Sequence, residues 1–381
     1  MPRPICALID IAALSHNFNA VKRAVLSAQA RRQAPGHIWA VVKADAYGHT
    51  LAAAIAAFEQ ADGLAMLDFE EAVRCRQAGW DKPILMLEGT FGAADLSEAV
   101  QLGLSLVVHD PSQLSLLEAQ ASKIAAPLDI YLKMNTGMHR LGFEADDYLH
   151  AFKRLKALQQ AGKVGDITHM THFASAEQVD GVQAPMARFK ATVGRLEGGW
   201  CVSNSAAALA HTNPLVEHWV PPTTGLWIRP GICLYGGSPF ADRPAAEFDL
   251  KSAMTLRSEL IGVRAVQVGE GVGYGHTFVA EKPMRIGVVA CGYADGYPRH
   301  APTGTAVSVA GVRTRVVGRV SMDMLTVDVS DLPQAGVGDE VVLWGAGGPT
   351  ADEVAQAAGT ISYELMTAVT ARVPRRLIFP R

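Results

Sequence analysis

The chain has 381 residues, 49% hydrophobic and 19% charged, with a formal net charge of −3. At roughly 100–200 residues per domain this length implies two domains, and a chain of that size buries a large core without disulfides. The near-zero charge argues against a nucleic-acid partner, no apolar run approaches the ~18 residues that span a bilayer, and the first residues lack a secretory pattern, so a globular protein of the cytoplasm is expected.

An apolar segment at 4–11 comes first and is expected to pair with the C-terminal domain. Short apolar runs then alternate with longer segments of helical period. Strand candidates are 39–43, 63–67, 83–88, 104–108, 128–134, 166–171, 200–203 and 226–229. Helix candidates lie between them at 50–60, 69–78, 93–102, 111–122, 145–161 and 183–197, with a short one after Asn204. Eight such units predict an N-terminal (β/α)8 TIM barrel over residues 1–240. No Gly-x-Gly-x-x-Gly follows the first strand, which disfavours a dinucleotide-binding open sheet.

Near residue 240 the texture changes, and SPFADRPAAEFDL reads as a linker. Beyond it, strand candidates at 253–268, 284–291, 306–310, 312–319, 323–329 and 339–344 are separated by Gly-rich turns. Residues 241–381 are therefore expected to form a mostly β domain, with one helix at 351–359. The cysteines are Cys6, Cys75, Cys201, Cys233 and Cys291. Their odd number and the absence of CxxC spacing argue against a disulfide framework and against a metal site. Small buried hydrophobes are expected instead.

Functional residues of a (β/α)8 barrel gather at the C-terminal ends of its strands. The first strand candidate closes on Lys43, where desolvation favours a neutral amine able to form a Schiff base or take a proton. An ion pair with Asp45 is the bland alternative. The fifth strand end offers Lys133 and Arg140, two cations suited to a carboxylate or phosphate. The sixth places His172 at the mouth. The seventh ends in Asn204 and Ser205, with Ser205 expected to cap a helix whose N-terminus would attract an anion. The eighth ends at Arg229, before a Gly231 that lets backbone N–H groups approach a ligand closely. Together these residues specify a phosphorylated, carbonyl-bearing ligand held over a lysine, most economically pyridoxal 5'-phosphate.

In chain order, AVVKADAYGH, KMNTGMHRLGF, THFA, NSAA, IRPGICLYG, VGYGHTF, GYADGYPR, VGRVSMDMLTVDV and SYELMTAVTARVPR run from residue 41 to residue 375. Together they resemble bacterial alanine racemase, a pyridoxal-phosphate-dependent isomerase family of fold type III. The resemblance implies a two-base interconversion of L- and D-alanine on a cofactor aldimine, in a homodimer with shared active sites. It implies that Lys43 holds the cofactor and serves as the base on the D-alanine side, with Tyr274 of the other subunit as the base on the L-alanine side. Tyr47, Ser205, Gly231, Ile232 and Tyr363 would hold the phosphate, with Asn204 in the cofactor-binding set. Arg229 would face the pyridine nitrogen, and His172 would connect it to Tyr274. Arg140 would bind the phenolic oxygen and the substrate carboxylate, while Tyr293 and the Met322 backbone would close the substrate pocket from the partner chain. Lys133 corresponds to a lysine that is carbamylated in many relatives.

The chain departs from the family pattern at a few places. Asn135 and His139 stand where KVDTGMGR members have Asp and Gly, Ser321 stands where many have Cys, and Cys201 replaces a histidine of some members. Simple packing is the expected role of Ser321 and Cys201. The rival readings are a basic-amino-acid decarboxylase, a broader-specificity racemase, and a non-catalytic pyridoxal phosphate homeostasis protein. An arginine at the pyridine position and a second domain carrying Tyr274 and Met322 speak against the first and the last. Supply of D-alanine for peptidoglycan and alanine catabolism both remain compatible with the sequence.

Overall fold

A computed structural model describes residues 3–29 and 33–379; residues 1 and 2 of the N-terminal segment, and 380 and 381 of the C-terminal one, lie outside the described residues. The first strand, β1 (Cys6–Asp10), runs directly into a helix, Ile11–Gln29, that the strand-and-helix reading did not anticipate. Its start is set by Asp10, whose carboxylate accepts the Ala13 N–H at 3.0 Å.

The barrel strands are β2 (Gly36–Val41), β3 (Gly63–Met66), β4 (Ile84–Met86), β5 (Ser105–Val108), β6 (Leu128–Lys133), β7 (Val164–Met170), β8 (Trp200–Ser203) and β9 (Leu226–Ile228). All neighbours are parallel, and β2 pairs with β9, Gly36 opposite Leu226, to close the ring. Parallel neighbours need long crossovers. Helices such as Phe69–Gln77 and Pro111–Ala119 supply them, each begun by an aspartate cap, Asp68 and Asp110. The Trp39 indole N–H of β2 donates to the Tyr131 hydroxyl of β6 at 3.1 Å. Those strands face each other across the ring, so the bond crosses the interior. Trp39 also stacks on Trp227 at 4.5 Å, and this aromatic layer makes the barrel centre a packed core.

The second domain contains β10 (Met254–Val266), β11 (Gly271–Val272), β12 (Phe278–Val279), β13 (Met284–Val289), β14 (Ala306–Val309), β15 (Val312–Arg315), β16 (Leu325–Asp328), β17 (Glu340–Trp344) and β18 (Arg375–Ile378). Its main sheet runs β15-β14-β17-β10-β1-β18, so the first strand lies between two strands of the second domain. The helix expected at 351–359 is Ala351–Ala357, and a further helix, Ser362–Ala368, follows it. The segment read as a linker is packed, with Phe240 stacked on Phe248 at 5.2 Å. All five cysteines are buried and unpaired. Among the described residues no helix is long and apolar enough to cross a membrane.

Candidate active site

β2 ends at Val41, so Lys43 does not close the strand as the apolar run suggested but opens a turn beyond it. Ala44, Asp45, Ala46 and Tyr47 have φ of 56°, 49°, 56° and 53°. Left-handed backbone costs roughly 1–2 kcal/mol per non-glycine residue, so contacts outside the turn must hold it. Lys43 lines a pocket of about 480 Å³ together with Tyr47 and Tyr363. Burial, and then the Arg140 guanidinium, depress its pKa below the usual lysine range, while the Glu88 carboxylate opposes them.

The far side of that pocket joins three backbone segments. The Tyr47 ring stacks on Tyr235 at 4.6 Å and lies 6.0 Å from the ring of Tyr363, which comes from helix Ser362–Ala368. The Gly231 N–H donates to the Ser205 hydroxyl at 2.8 Å. A Cβ on residue 231 would lie 2.3 Å from the Tyr47 hydroxyl oxygen, which is why glycine stands there. Ile232, fully buried, follows. Ser205 is not the helix cap. Asn204 is: its side-chain oxygen accepts the Ala207 N–H at 3.0 Å and its carbonyl accepts the Ala208 N–H at 2.8 Å. That leaves the Ser205 hydroxyl to turn toward Gly231.

Arg229 is buried beneath the mouth. Its guanidinium donates to the carbonyls of Cys201 at 2.6 Å and Thr171 at 2.7 Å, and to the Cys201 sulfur at 3.0 Å. Among the described residues it makes no ion pair with a carboxylate. Its Nη2 lies 3.5 Å from His172 Nδ1. A guanidinium only donates, so Nδ1 accepts and the ring proton is assigned to Nε2. Burial holds the His172 pKa well below the ordinary value, reinforced by Arg229, Lys133, Arg140 and Lys43 in that order. Lys133 is buried and pushed down to about 8, by burial and then by Arg229, Arg140 and Lys43, with Glu88 opposing. Arg229 is thus in contact with the imidazole, and the basic side chains of Lys133, Arg140 and Lys43 also act on it, a charge distribution complementary to an anion.

Tyr274, Tyr293 and Met322 belong to the second domain and are 72%, 37% and 54% exposed. The Tyr293 N–H donates to the Ser321 carbonyl at 3.0 Å and the Ala294 N–H to the Met322 carbonyl at 2.9 Å, which brings Tyr293 and Met322 together. Among the described residues no hydrogen bond or ring contact joins Tyr274 to Lys43 or His172 within the chain. The chain therefore brings together the lysine and the Tyr47–Ser205–Gly231 cradle, with Arg229 against His172, and leaves the Tyr274 side chain exposed and without a contact to Lys43 or His172. Sequence reading missed Glu88, which lies just beyond β4 and acts on both lysines, although a carboxylate past an apolar strand is a visible signal. It also missed the Thr171 carbonyl, which no side-chain pattern reveals.

Two family models match the chain: the N-terminal domain of alanine racemase over residues 9–239 and the C-terminal domain over residues 253–377. An alanine racemase of Bordetella petrii is 56% identical over 376 residues, covering 98% of this chain and 99% of that one. Another, of Bordetella avium, is 52% identical over 377 residues, covering 99% of each. Among solved structures, the biosynthetic alanine racemase of Pseudomonas aeruginosa is 43% identical with a TM-score of 0.88, covering 99% of both chains. That of Acinetobacter baumannii is 33% identical with a TM-score of 0.87, covering 99% of this chain and 100% of the other. With both family models matched in order and relatives this similar along the whole length, the chain belongs to the alanine racemase family.

Proposed function

We propose that the barrel pocket binds pyridoxal 5'-phosphate and that each active site is completed by the second domain of another copy of the chain. The reaction is that of the family, the interconversion of L- and D-alanine. The observation that carries the reading is that Lys43 shares one pocket with Tyr47 and Tyr363, Tyr47 closes on Gly231, whose N–H meets the Ser205 hydroxyl, and buried Arg229 lies against His172. A phosphorylated ligand with a phenolic oxygen fits both features.

In this reading Lys43 Nζ holds the cofactor aldehyde carbon. Tyr47, Ser205, Gly231, Ile232 and Tyr363 would hold the phosphate, and Asn204 fixes the helix that presents Ser205. Arg229 would face the pyridine nitrogen, and Arg140 would take the phenolic oxygen and the alanine carboxylate. When bound, the cofactor withdraws electrons from the alanine Cα and loosens its hydrogen. Lys43 Nζ, its pKa lowered by burial and its amine freed once the alanine amine has replaced it at that carbon, would take that proton on one face. Tyr274 Oη of a second copy supplies a proton on the other, and the roles exchange in the reverse direction. A phenol with a reference pKa near 10 needs help to ionise. His172 provides it, because the Nε2 proton left by its bond to Arg229 is available to a phenolate. Arg229 cannot release a proton, so it would leave the pyridine nitrogen unprotonated, limiting electron withdrawal and favouring prompt return of the Cα proton.

Residues 1–240 then carry most of the cofactor site, with Tyr363 of the same chain added to it, and 241–381 deliver Tyr274, Tyr293 and Met322 to a partner. The exposure of those three side chains in the single chain supports this division of labour. Lys133, at about 8, keeps a fraction of free amine that carbon dioxide can carbamylate, and the new carboxylate would orient Arg140. The test is racemisation of L-alanine, L-serine and L-lysine in parallel, with and without added pyridoxal phosphate, while following solvent deuterium into Cα. Cofactor-dependent exchange and racemisation of alanine are expected, and the serine and lysine rates set the breadth of the pocket. Bound cofactor without exchange would reduce the protein to a cofactor store.

A further inference from the structure

We propose that Glu71 is a positioning residue for Lys43, acting through the left-handed turn at Ala44–Tyr47; the proposal rests on Lys43 being the cofactor lysine. The turn lies between Lys43 and Tyr47, the amine end and the phosphate end of the proposed site, so its shape sets their separation. Nothing in Ala44, Asp45, Ala46 and Tyr47 favours this conformation strongly, since only aspartate among them tolerates it well. The turn is held from outside. Asp45 is the point of attachment: its N–H donates to Glu71 Oε1 at 2.8 Å, its carboxylate accepts the Leu51 N–H at 2.9 Å, and its carbonyl accepts the Thr50 N–H at 2.9 Å. At the far end Gly48, with φ of 77°, presses against the Met366 carbonyl, where a Cβ would lie 2.2 Å away.

Glu71 belongs to a separate element, the first turn of helix Phe69–Gln77. A glutamate there ordinarily faces water and favours the helix through its charge. This one is 6% exposed, and its Oε2 has no hydrogen-bond partner among the described residues. The nearest cation, Arg74, stands 3.8 Å from Oε1. Burying a carboxylate with one oxygen unpartnered is unfavourable. The contact that offsets it is the bond from Oε1 to the amide inside the strained turn. Glu71 therefore works as an acceptor for the turn, and its effect on chemistry passes through Lys43.

Two substitutions in the holoenzyme separate the roles. Glu71→Asp keeps the charge but shortens the reach; Glu71→Gln drops the charge but keeps the acceptor. For Glu71→Asp, amide hydrogen exchange across 44–49 should accelerate about tenfold and kcat should fall about tenfold, as expected for losing one charge-assisted hydrogen bond, while the alanine KM stays within about twofold. Glu71→Gln should remain near wild type in both measurements. Normal behaviour of Glu71→Asp, impairment of Glu71→Gln alone, or equal impairment of the two overturns the proposal. Borohydride reduction and peptide mapping of the wild-type holoenzyme test the Lys43 reading separately. A label away from Lys43 would remove that reading while leaving the exchange result to report on the turn.

Discussion

The Arg229 guanidinium bonds to Cys201 twice, to its carbonyl at 2.6 Å and to its sulfur at 3.0 Å. Cys201 is therefore more than filling: it orients the cation that lies beside His172. Replacing it by valine keeps an apolar core side chain but removes one acceptor, and replacing it by serine keeps an acceptor. Racemisation by Cys201→Val should fall by about two- to tenfold, the range of one modest hydrogen bond, because the sulfur is a weak acceptor for the guanidinium, with Cys201→Ser much closer to wild type. Equal rates for both variants would return Cys201 to a packing role.

Lys43→Ala should abolish covalent retention of cofactor and lower racemisation by at least about 10⁴-fold, the upper range for a general base that is also the attachment point. Dialysis followed by absorption spectroscopy and alanine racemisation checks both outcomes.

Tyr274→Phe should lower racemisation by about 10²–10⁴-fold while cofactor affinity changes little, because the proposed role of the hydroxyl is proton transfer. Mixing that variant with Lys43→Ala creates dimers in which one site has both bases. Free subunit exchange should restore up to about a quarter of wild-type activity, given two-fold symmetry. No recovery after proven exchange excludes sites shared between copies.

Lys133 gives the cofactor-free chain a pH signature. Its pKa is pushed from 10.5 down to about 8 in the folded chain, so between those values the unfolded chain binds the additional proton. Stability contributed at this site therefore rises with pH through that window and is at its lowest below about 8. Lys133→Met should stabilise the cofactor-free protein at pH 7, and the gain should shrink at higher pH. Urea denaturation at pH 7 and near pH 10 measures the difference; a gain independent of pH would detach it from the lysine's titration.

The barrel was readable because each parallel strand, buried on both faces, stands out as a short apolar run between helical segments. The errors fall where tertiary contacts override local signals. Lys43 looked like the end of a strand because it follows two valines, yet Ala44–Tyr47 bend left-handed under contacts from Glu71 and Met366 that are remote in sequence. Asn204 and Ser205 are both able to cap, and only the position of Gly231 decides which hydroxyl or amide does what. Helix Ile11–Gln29 was missed because β1 runs into it without glycine or proline, although Asp10 was a legible cap. Strand β18 was missed because RRLI carries two arginines and shows little alternation. The roles proposed for Tyr274 and Tyr293 rest on family motifs alone, since nothing in composition or period would mark an aromatic that serves another chain.

The placement of β1 has a consequence for biogenesis. Ala7 pairs with Arg375 on one side and with Leu256 on the other. During synthesis the first segment to emerge must wait unpaired while the whole barrel is translated, and its parallel neighbour arrives last of all. Severing the chain between barrel and second domain would strand β1 with the wrong half, exposing an edge on each fragment. The two domains are in this sense laced together and should mature, or be cleared by proteases, as one unit.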